Sequence, residues 1–121
     1  MKTYTELFVW QKSMELVTNI YKDTKSFPKE EIYGLTSQIR RCSVSIPSNI
    51  AEGFGRKSQP DFIRFLKISM GSLFELQTQL RISKNIEYLD EYRFNVLYEE
   101  TREVERMLSS FILSIQSVTN K

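Results

Sequence analysis

The chain has 121 residues, of which 40% are hydrophobic and 26% charged, and this composition fits one globular domain with a single core. It contains no histidine and one cysteine, Cys42, which excludes His-based catalytic triads, an internal disulfide and the usual zinc ligand sets. The net charge is +2, and no stretch approaches the roughly 20 apolar residues that cross a bilayer, so we expect a non-enzymatic protein without cofactor, metal or membrane segment.

The first helix is predicted from about residue 6 to residue 26. Apolar residues recur at steps of three and four, as one helix face requires, and the predicted core stripe is Trp10, Met14, Val17, Ile20 or Tyr21, and Thr24. The helix should end at Phe27, because a residue before proline is pushed out of the α region. Glu6 and Gln11 interrupt the apolar run that a secretory signal would need, so we expect the protein in the cytoplasm.

The second helix is predicted from about Pro28 to Gly53. Its core stripe is Ile32, Leu35, Ile39, Cys42, Ile46, Asn49 or Ile50, and Gly53. Pro47 lies inside this stretch, where a proline removes a backbone hydrogen bond and costs about 3 kcal/mol in a straight helix. Because the apolar phase continues across Pro47, we predict one kinked helix rather than two.

The third and fourth helices have clear start signals. Ser58 and Asp61 form a capping box with Pro60 in the first turn, and Asp90 caps the fourth helix. The predicted core positions are Phe62, Leu66, Ser69, Leu73, Leu76, Leu80 and Ser83, then Phe94, Leu97, Thr101, Val104, Leu108, Phe111 or Ile112, and Ile115. Short connections predict an all-α, antiparallel up-down-up-down four-helix bundle, with the whole chain as one domain.

Basic residues are concentrated in the middle of the chain. Residues 1–36 have no net charge, residues 37–84 carry +5 and residues 85–121 carry −3. The candidate phosphate-binding residues are Arg40, Arg41, Arg56, Lys57, Arg64 and Lys67. Two interpretations stay open: a solvated basic face with some side chains paired, such as Glu52 with Arg56, or a surface that neutralises nucleic-acid phosphates.

The third helix also places apolar residues outside its core seam. Ile63, Met70 and Phe74 lie about 100° from the seam, and Ile68 and Ile82 lie nearly opposite it, next to Gly71. A glycine inside a helix costs about 1 kcal/mol relative to alanine, which favours close approach of something outside the bundle. The band is either a set of scattered surface residues or a subunit interface.

Two further patterns have simpler explanations. Trp10 and Tyr33 could stack on bases, but aromatic residues at helical spacing more often belong to the core. Glu52 and Glu75 could form a carboxylate pair for acid–base or metal chemistry, but we prefer salt bridges to nearby arginines.

Three motifs resemble one family: Tyr33-Gly34-Leu35, Gln38-Ile39-Arg40-Arg41-Cys42, and the run SIPSNIAEG from residue 45 to residue 53. They are similar to the four-helix bundle proteins encoded within intervening sequences of bacterial large-subunit ribosomal RNA genes, often labelled S23 ribosomal proteins. These in turn resemble the accessory protein of diversity-generating retroelements, a basic homopentamer that associates with a reverse transcriptase and nucleic acid. The resemblance implies a pentamer, with Gly71, Ser72 and Glu75 on an outward helix face.

The leading hypothesis is therefore a non-enzymatic oligomer that associates with RNA through its basic residues, and whose subunits meet at Ile63, Ile68, Met70, Gly71, Ser72, Phe74 and Glu75. A second hypothesis is a protein–protein scaffold that docks its partner near Ile63, Ile68 and Phe74. An enzyme is the third hypothesis, and it lacks any nucleophile–base pair.

Overall fold

The computed structural model describes residues 2–119, which form four α-helices and two short 3₁₀ turns without any strand. The helices are α1 (Phe8–Asp23), α2 (Leu35–Phe54), α3 (Gln59–Asn85) and α4 (Glu91–Thr119), and the turns lie at Tyr4–Glu6 and Lys29–Glu31. Each helix packs on its neighbour in the chain and α1 also packs on α4, which closes a ring of four helices. This arrangement confirms the all-α fold, whereas the antiparallel order and the kink at Pro47 stay predictions.

All four helices contribute to one core. The completely buried large side chains are Leu16, Ile20, Ile39, Ile46, Ile50, Leu66, Leu73, Leu76, Leu80, Leu97, Val104 and Leu108. Burying such a side chain contributes about 1.5–3 kcal/mol, so these residues supply most of the driving force for folding. They confirm the predicted stripes of α3 and α4 and most of that of α2. None of the helices between residues 2 and 119 is long and apolar enough to cross a membrane.

The predicted core stripe of α1 is wrong by one position over its first three residues, whereas Ile20 and Thr24 are buried as predicted. The buried residues of this helix are Val9, Ser13, Leu16 and Ile20, whereas Met14 is 41% exposed and Trp10 is half-buried. Ser13 fits the core because its Oγ donates to the Trp10 carbonyl at 2.8 Å, which satisfies the hydroxyl inside the helix. The prediction was wrong because it assigned the large Trp10 to the core, which fixed the phase of the stripe, and did not consider a serine as a buried residue.

The second helix also begins later than predicted. Residues 29–31 form a separate 3₁₀ turn, and Ile32, assigned to the core from the sequence, is 57% exposed. Gly34 then takes a non-helical conformation with φ −112° and ψ −116°, and α2 starts at Leu35. The Leu35 amide donates to the Glu31 carboxylate at 3.1 Å, so an acidic side chain satisfies an orphan donor of the first turn.

The caps of α3 and α4 are as predicted. The Asp61 amide donates to Ser58 Oγ at 3.2 Å, and the Arg93 amide donates to Asp90 Oδ1 at 2.7 Å. Pro47 is buried inside a continuous α2, which confirms one helix rather than two. At the end of α2, Gly55 has φ −79° and so does not adopt the left-handed conformation common at C-caps.

Gly53 lies at a close contact between α2 and α3. A Cβ atom at this position would lie 2.8 Å from Phe65 Cβ and 2.9 Å from Phe62 Cδ1. Phe65 Cβ is fixed to the α3 backbone and cannot swing away, so the close approach of the two helices requires glycine here.

We expect Gly53→Ala to lower the free energy of unfolding by about 1–3 kcal/mol, the usual cost of overpacking a filled site. Urea denaturation followed by circular dichroism would measure the change. The matched control is Gly55→Ala, whose Cβ would meet only ordinary contacts from 3.6 Å and whose φ suits any residue. Equal stability of the two variants would show that α2 and α3 do not need this contact.

Candidate interaction surfaces

The turn between α2 and α3 brings two arginines onto one aromatic ring. The guanidinium carbon of Arg56 lies 4.6 Å from the Phe65 ring centroid, and that of Arg64 lies 4.5 Å from it. Asp61 holds both cations, with its carboxylate 3.0 Å from Arg64 Nε and 3.7 Å from Arg56 Nε. Arg56 also pairs with Glu52 at 2.5 Å, as the i,i+4 spacing predicts. The two guanidinium groups are therefore fixed in position and partly neutralised.

Two lysines beside these arginines are free. Lys57 lies in the turn and Lys67 on α3; both are exposed, and neither side chain has a partner in the part of the chain that the structure describes. We call Arg56, Lys57, Arg64 and Lys67 the basic end. Its four positive charges face the two negative charges of Glu52 and Asp61, which leaves a net +2 carried mainly by the lysines.

Arg40 does not belong to the basic end. Its Nε donates to Thr24 Oγ1 at 2.9 Å, its Nη2 donates to the Tyr21 carbonyl at 3.4 Å, and its guanidinium lies 4.7 Å from the Tyr21 ring centroid. It therefore joins α2 to the C-terminal end of α1, where a cation is favourable against the helix dipole. Among the six predicted phosphate ligands, Arg40 is the one whose guanidinium group donates hydrogen bonds to α1 and to the residue that follows it.

Arg41 lies one position further, in a groove between α2 and α3. This open groove has a volume of about 330 Å³, and we call it the polar groove; its lining residues are Gln38, Arg41, Cys42, Ser45, Ser72 and Glu75. Ser45 Oγ and Ser72 Oγ are hydrogen-bonded at 2.8 Å across the two helices. Ser72 is therefore half-buried against α2, which corrects the expectation that it lies on an outward face.

Cys42 and Glu75 are connected through Gln79 at the floor of the polar groove. Cys42 Sγ donates to Gln79 Oε1 at 3.1 Å, and Gln79 Nε2 donates to Glu75 Oε1 at 3.4 Å. Burial and the nearby Glu75 carboxylate raise the pKa of the Cys42 thiol from 9.0 to about 12. Glu75 makes no ion pair with any cation of residues 2–119, so the preferred salt bridge to an arginine is wrong for this residue.

The predicted apolar band on α3 divides into two parts. Ile63 and Met70 are partly buried and pack against the core. The remaining residues form what we call the α3 outer face: Ile68, Gly71, Phe74 and Ile82. The three large side chains are between 41% and 47% exposed, and a Cβ at Gly71 would have no neighbour within 4 Å. No contact among residues 2–119 explains glycine at this position.

Two aromatic side chains, Tyr33 and Phe8, are exposed, the first contrary to the preferred prediction and the second without any prediction. Tyr33, expected in the core, is 95% exposed in the connection before α2. Phe8 is 74% exposed beside an apolar groove of about 430 Å³ lined by Leu7, Phe8, Val9, Arg106, Met107, Ser110 and Phe111. The uninterrupted apolar run at residues 7–9 was the available signal, because adjacent helical residues cannot all face one core.

The acidic fourth helix pairs most of its charges. Arg106 lies 3.0 Å from Glu99, Arg102 lies 3.3 Å from Glu105, and Lys12 of α1 lies 3.5 Å from Glu103. Glu100 instead accepts hydrogen bonds from Asn19, and burial raises the pKa of its carboxyl group above the ordinary value. No cluster of three or more His, Cys, Asp or Glu side chains suitable for a metal ion occurs within residues 2–119.

Comparison with known proteins identifies a family and related solved structures. Residues 5–110 match the family described as "23S rRNA-intervening sequence protein". A crystal structure of a protein of unknown function from the S23 ribosomal protein family of Bacteroides thetaiotaomicron is 28% identical to the chain, with a TM-score of 0.80. The match covers 86% of this chain and 94% of that one. No curated protein matches the chain.

We expect the Cys42 thiol to react slowly in the folded protein. A pKa of about 12 instead of 9.0 leaves roughly 1,000-fold less thiolate at mildly alkaline pH, and the thiolate is the reactive species. Alkylation by iodoacetamide at about pH 8, followed by mass spectrometry, should be at least ~100-fold slower in the native protein than in concentrated urea. Similar rates in both conditions would contradict the burial of this side chain.

Proposed function

This chain belongs to the 23S rRNA-intervening sequence protein family, and we propose that it is a non-enzymatic, oligomeric protein of the cytoplasm that associates with RNA through its basic end. One observation carries the proposal: Lys57 and Lys67 are exposed and unpaired beside two arginines fixed against Phe65. When lysines and arginines bind the phosphates of a nucleic acid, they displace the counterions condensed on it. The release of these counterions favours binding.

The arrangement at the basic end favours phosphate contact over base reading. Arg56 and Arg64 already share Asp61, so their remaining N–H groups can meet phosphate oxygens with little loss of side-chain freedom. Contacts of this kind position a nucleic acid without specifying its sequence. A net +2 is small for one subunit, and affinity would come from several copies binding one strand together.

Oligomerisation is part of the proposal and is supported by the α3 outer face. Ile68 and Phe74 lie three residues before and after Gly71, and Ile82 lies further along the same face. The glycine has open space above it, as close packing of another helix would require. The resemblance to the retroelement accessory protein favours five copies. A closed ring would also repeat the basic end around one axis and so concentrate its positive potential.

The absence of histidine and the state of Cys42 support a non-enzymatic role. Cys42 is buried and hydrogen-bonded, and its raised thiol pKa makes it a poor nucleophile. Carboxylates or lysines could still serve as acids or bases, and among the carboxylates Glu52 is already paired with Arg56.

The second candidate function is a protein–protein scaffold with no direct role in nucleic-acid binding. The exposure of Ile68 and Phe74 favours it, because an apolar face of this kind would serve a different protein as well as a second copy. Under this alternative the α3 outer face, together with the adjoining Ile63, would bind the partner and the basic end would only be solvated.

The RNA proposal predicts steep salt dependence. We expect binding of a single-stranded RNA, measured by fluorescence anisotropy, to weaken sharply between about 50 and 200 mM salt. Replacing Arg56, Lys57, Arg64 and Lys67 by alanine should abolish most of the binding. The narrower Lys57→Ala/Lys67→Ala variant should reduce the slope of log K against log salt by up to ~1.4, since each phosphate contact on a single strand contributes about 0.7.

The matched control replaces Lys25 and Lys29 by alanine. These two exposed lysines follow the C-terminal end of α1, and their loss should leave the slope of log K against log salt unchanged. Unchanged RNA binding after loss of all four residues of the basic end would reject the assignment and favour the scaffold.

The oligomer proposal predicts a large effect of a bulky residue on the α3 outer face. We expect Gly71→Leu to reduce the mass measured by light scattering, because the added side chain would block close approach of a second subunit. Stability against urea at high dilution should not fall, since the position faces open space within one subunit. A wild-type protein that is monomeric at all concentrations would exclude this interface.

A further inference from the structure

The polar groove contains two opposite charges that do not neutralise each other. Arg41 is exposed and has no partner among the described residues, and Glu75 accepts only one long hydrogen bond from Gln79. Both line the same open groove, yet no ion pair forms between them. Two unpaired opposite charges in one groove are suited to a ligand that carries an anionic group and a hydrogen-bond donor.

The serines between these charges supply an additional donor. Ser45 Oγ accepts from Asn49 Nδ2 at 2.9 Å and shares one hydrogen bond with Ser72 Oγ. Two hydroxyl groups carry two protons, and their mutual bond uses one of them. Whichever serine donates to the other, one hydroxyl proton has no acceptor among the described residues and is available to a ligand in the groove.

Glu75 accepts its one hydrogen bond from Gln79, whose own side chain is held in place. Gln79 is buried, its carbonyl oxygen accepts from Cys42 and its amide nitrogen donates to Glu75, so the orientation of the amide is fixed. An ionised carboxylate only accepts hydrogen bonds, and it repels a phosphate that brings no donor with it. Any anionic ligand that enters the groove must therefore present a hydroxyl or amino group to Glu75.

We propose that the polar groove binds one nucleotide of single-stranded RNA, with Arg41 contacting a phosphate and Glu75 accepting a hydrogen bond from the ribose 2′-hydroxyl. The 2′-hydroxyl is the donor that separates RNA from DNA, and DNA would bring the same phosphate charge without a partner for Glu75. The groove is open, and its volume of about 330 Å³ lies within the range of ordinary small-ligand sites. This inference rests on the proposed association with RNA and names the feature that selects RNA.

The test compares RNA and DNA strands of the same sequence by fluorescence anisotropy at low salt. We expect the wild-type protein to bind RNA about tenfold more tightly than DNA, as a hydrogen bond to a charged group allows. Glu75→Ala should bring the ratio close to one, and Arg41→Ala should weaken RNA and DNA to a similar degree. Glu91→Ala, which removes an exposed carboxylate at the start of α4, is the control and should keep the wild-type ratio.

RNA with 2′-O-methyl groups distinguishes an effect of hydrogen bonding from an effect of sugar shape, because methylation removes the hydrogen-bond donor of the 2′-hydroxyl group. If the methylated RNA binds as weakly as DNA, the result supports the role of Glu75. If it binds as tightly as unmodified RNA, the result overturns that role. If Glu75→Ala keeps the wild-type ratio of RNA affinity to DNA affinity, the groove proposal is also overturned. Weaker RNA binding by the Lys57→Ala/Lys67→Ala variant would in that case still support RNA binding at the basic end. Absence of RNA binding by the wild-type protein would overturn both.

Discussion

The close packing of α2 on α3 is the contact on which the rest of the structure depends. Small residues make it feasible: Gly53 lies against Phe62 and Phe65, and Ser69 Oγ donates to the Ile46 carbonyl at 2.8 Å. That hydrogen bond joins a side chain of one helix to the backbone of the next, just before Pro47. Larger residues would separate the helices, and neither the basic end nor the polar groove would then exist in its present form.

The same contact explains how separate motifs meet. Arg41 and Ser45 come from α2, whereas Ser72 and Glu75 come from α3, and one groove contains all four. At one end of this contact the chain turns sharply, which brings Arg56 back to the first turn of α3 beside Asp61. The basic residues that form one segment in the sequence are thus divided in the structure among the basic end, the groove residue Arg41 and Arg40, which contacts α1.

The sequence was sufficient for much of the fold because local signals are strong in α3 and α4. Ser58 and Asp90 satisfy amides of the turn that follows them, so their effect is visible without tertiary information. The phase of α1 was not predictable in this way, because Ser13 is buried through a hydrogen bond to its own backbone rather than through hydrophobicity. Tyr33 was misplaced since Gly34 delays the start of α2 and leaves the ring outside. The polar groove needs the register between two helices, which periodicity within one helix does not give.

The buried state of the single cysteine has a practical consequence. Because Cys42 is covered by its neighbours and hydrogen-bonded to Gln79, a thiol introduced at an exposed position such as residue 57 would be the readily labelled one. A fluorescent dye or spin label could therefore be placed at a chosen point without first removing the native cysteine. Distances between labels on neighbouring subunits would then report the geometry of an assembly directly.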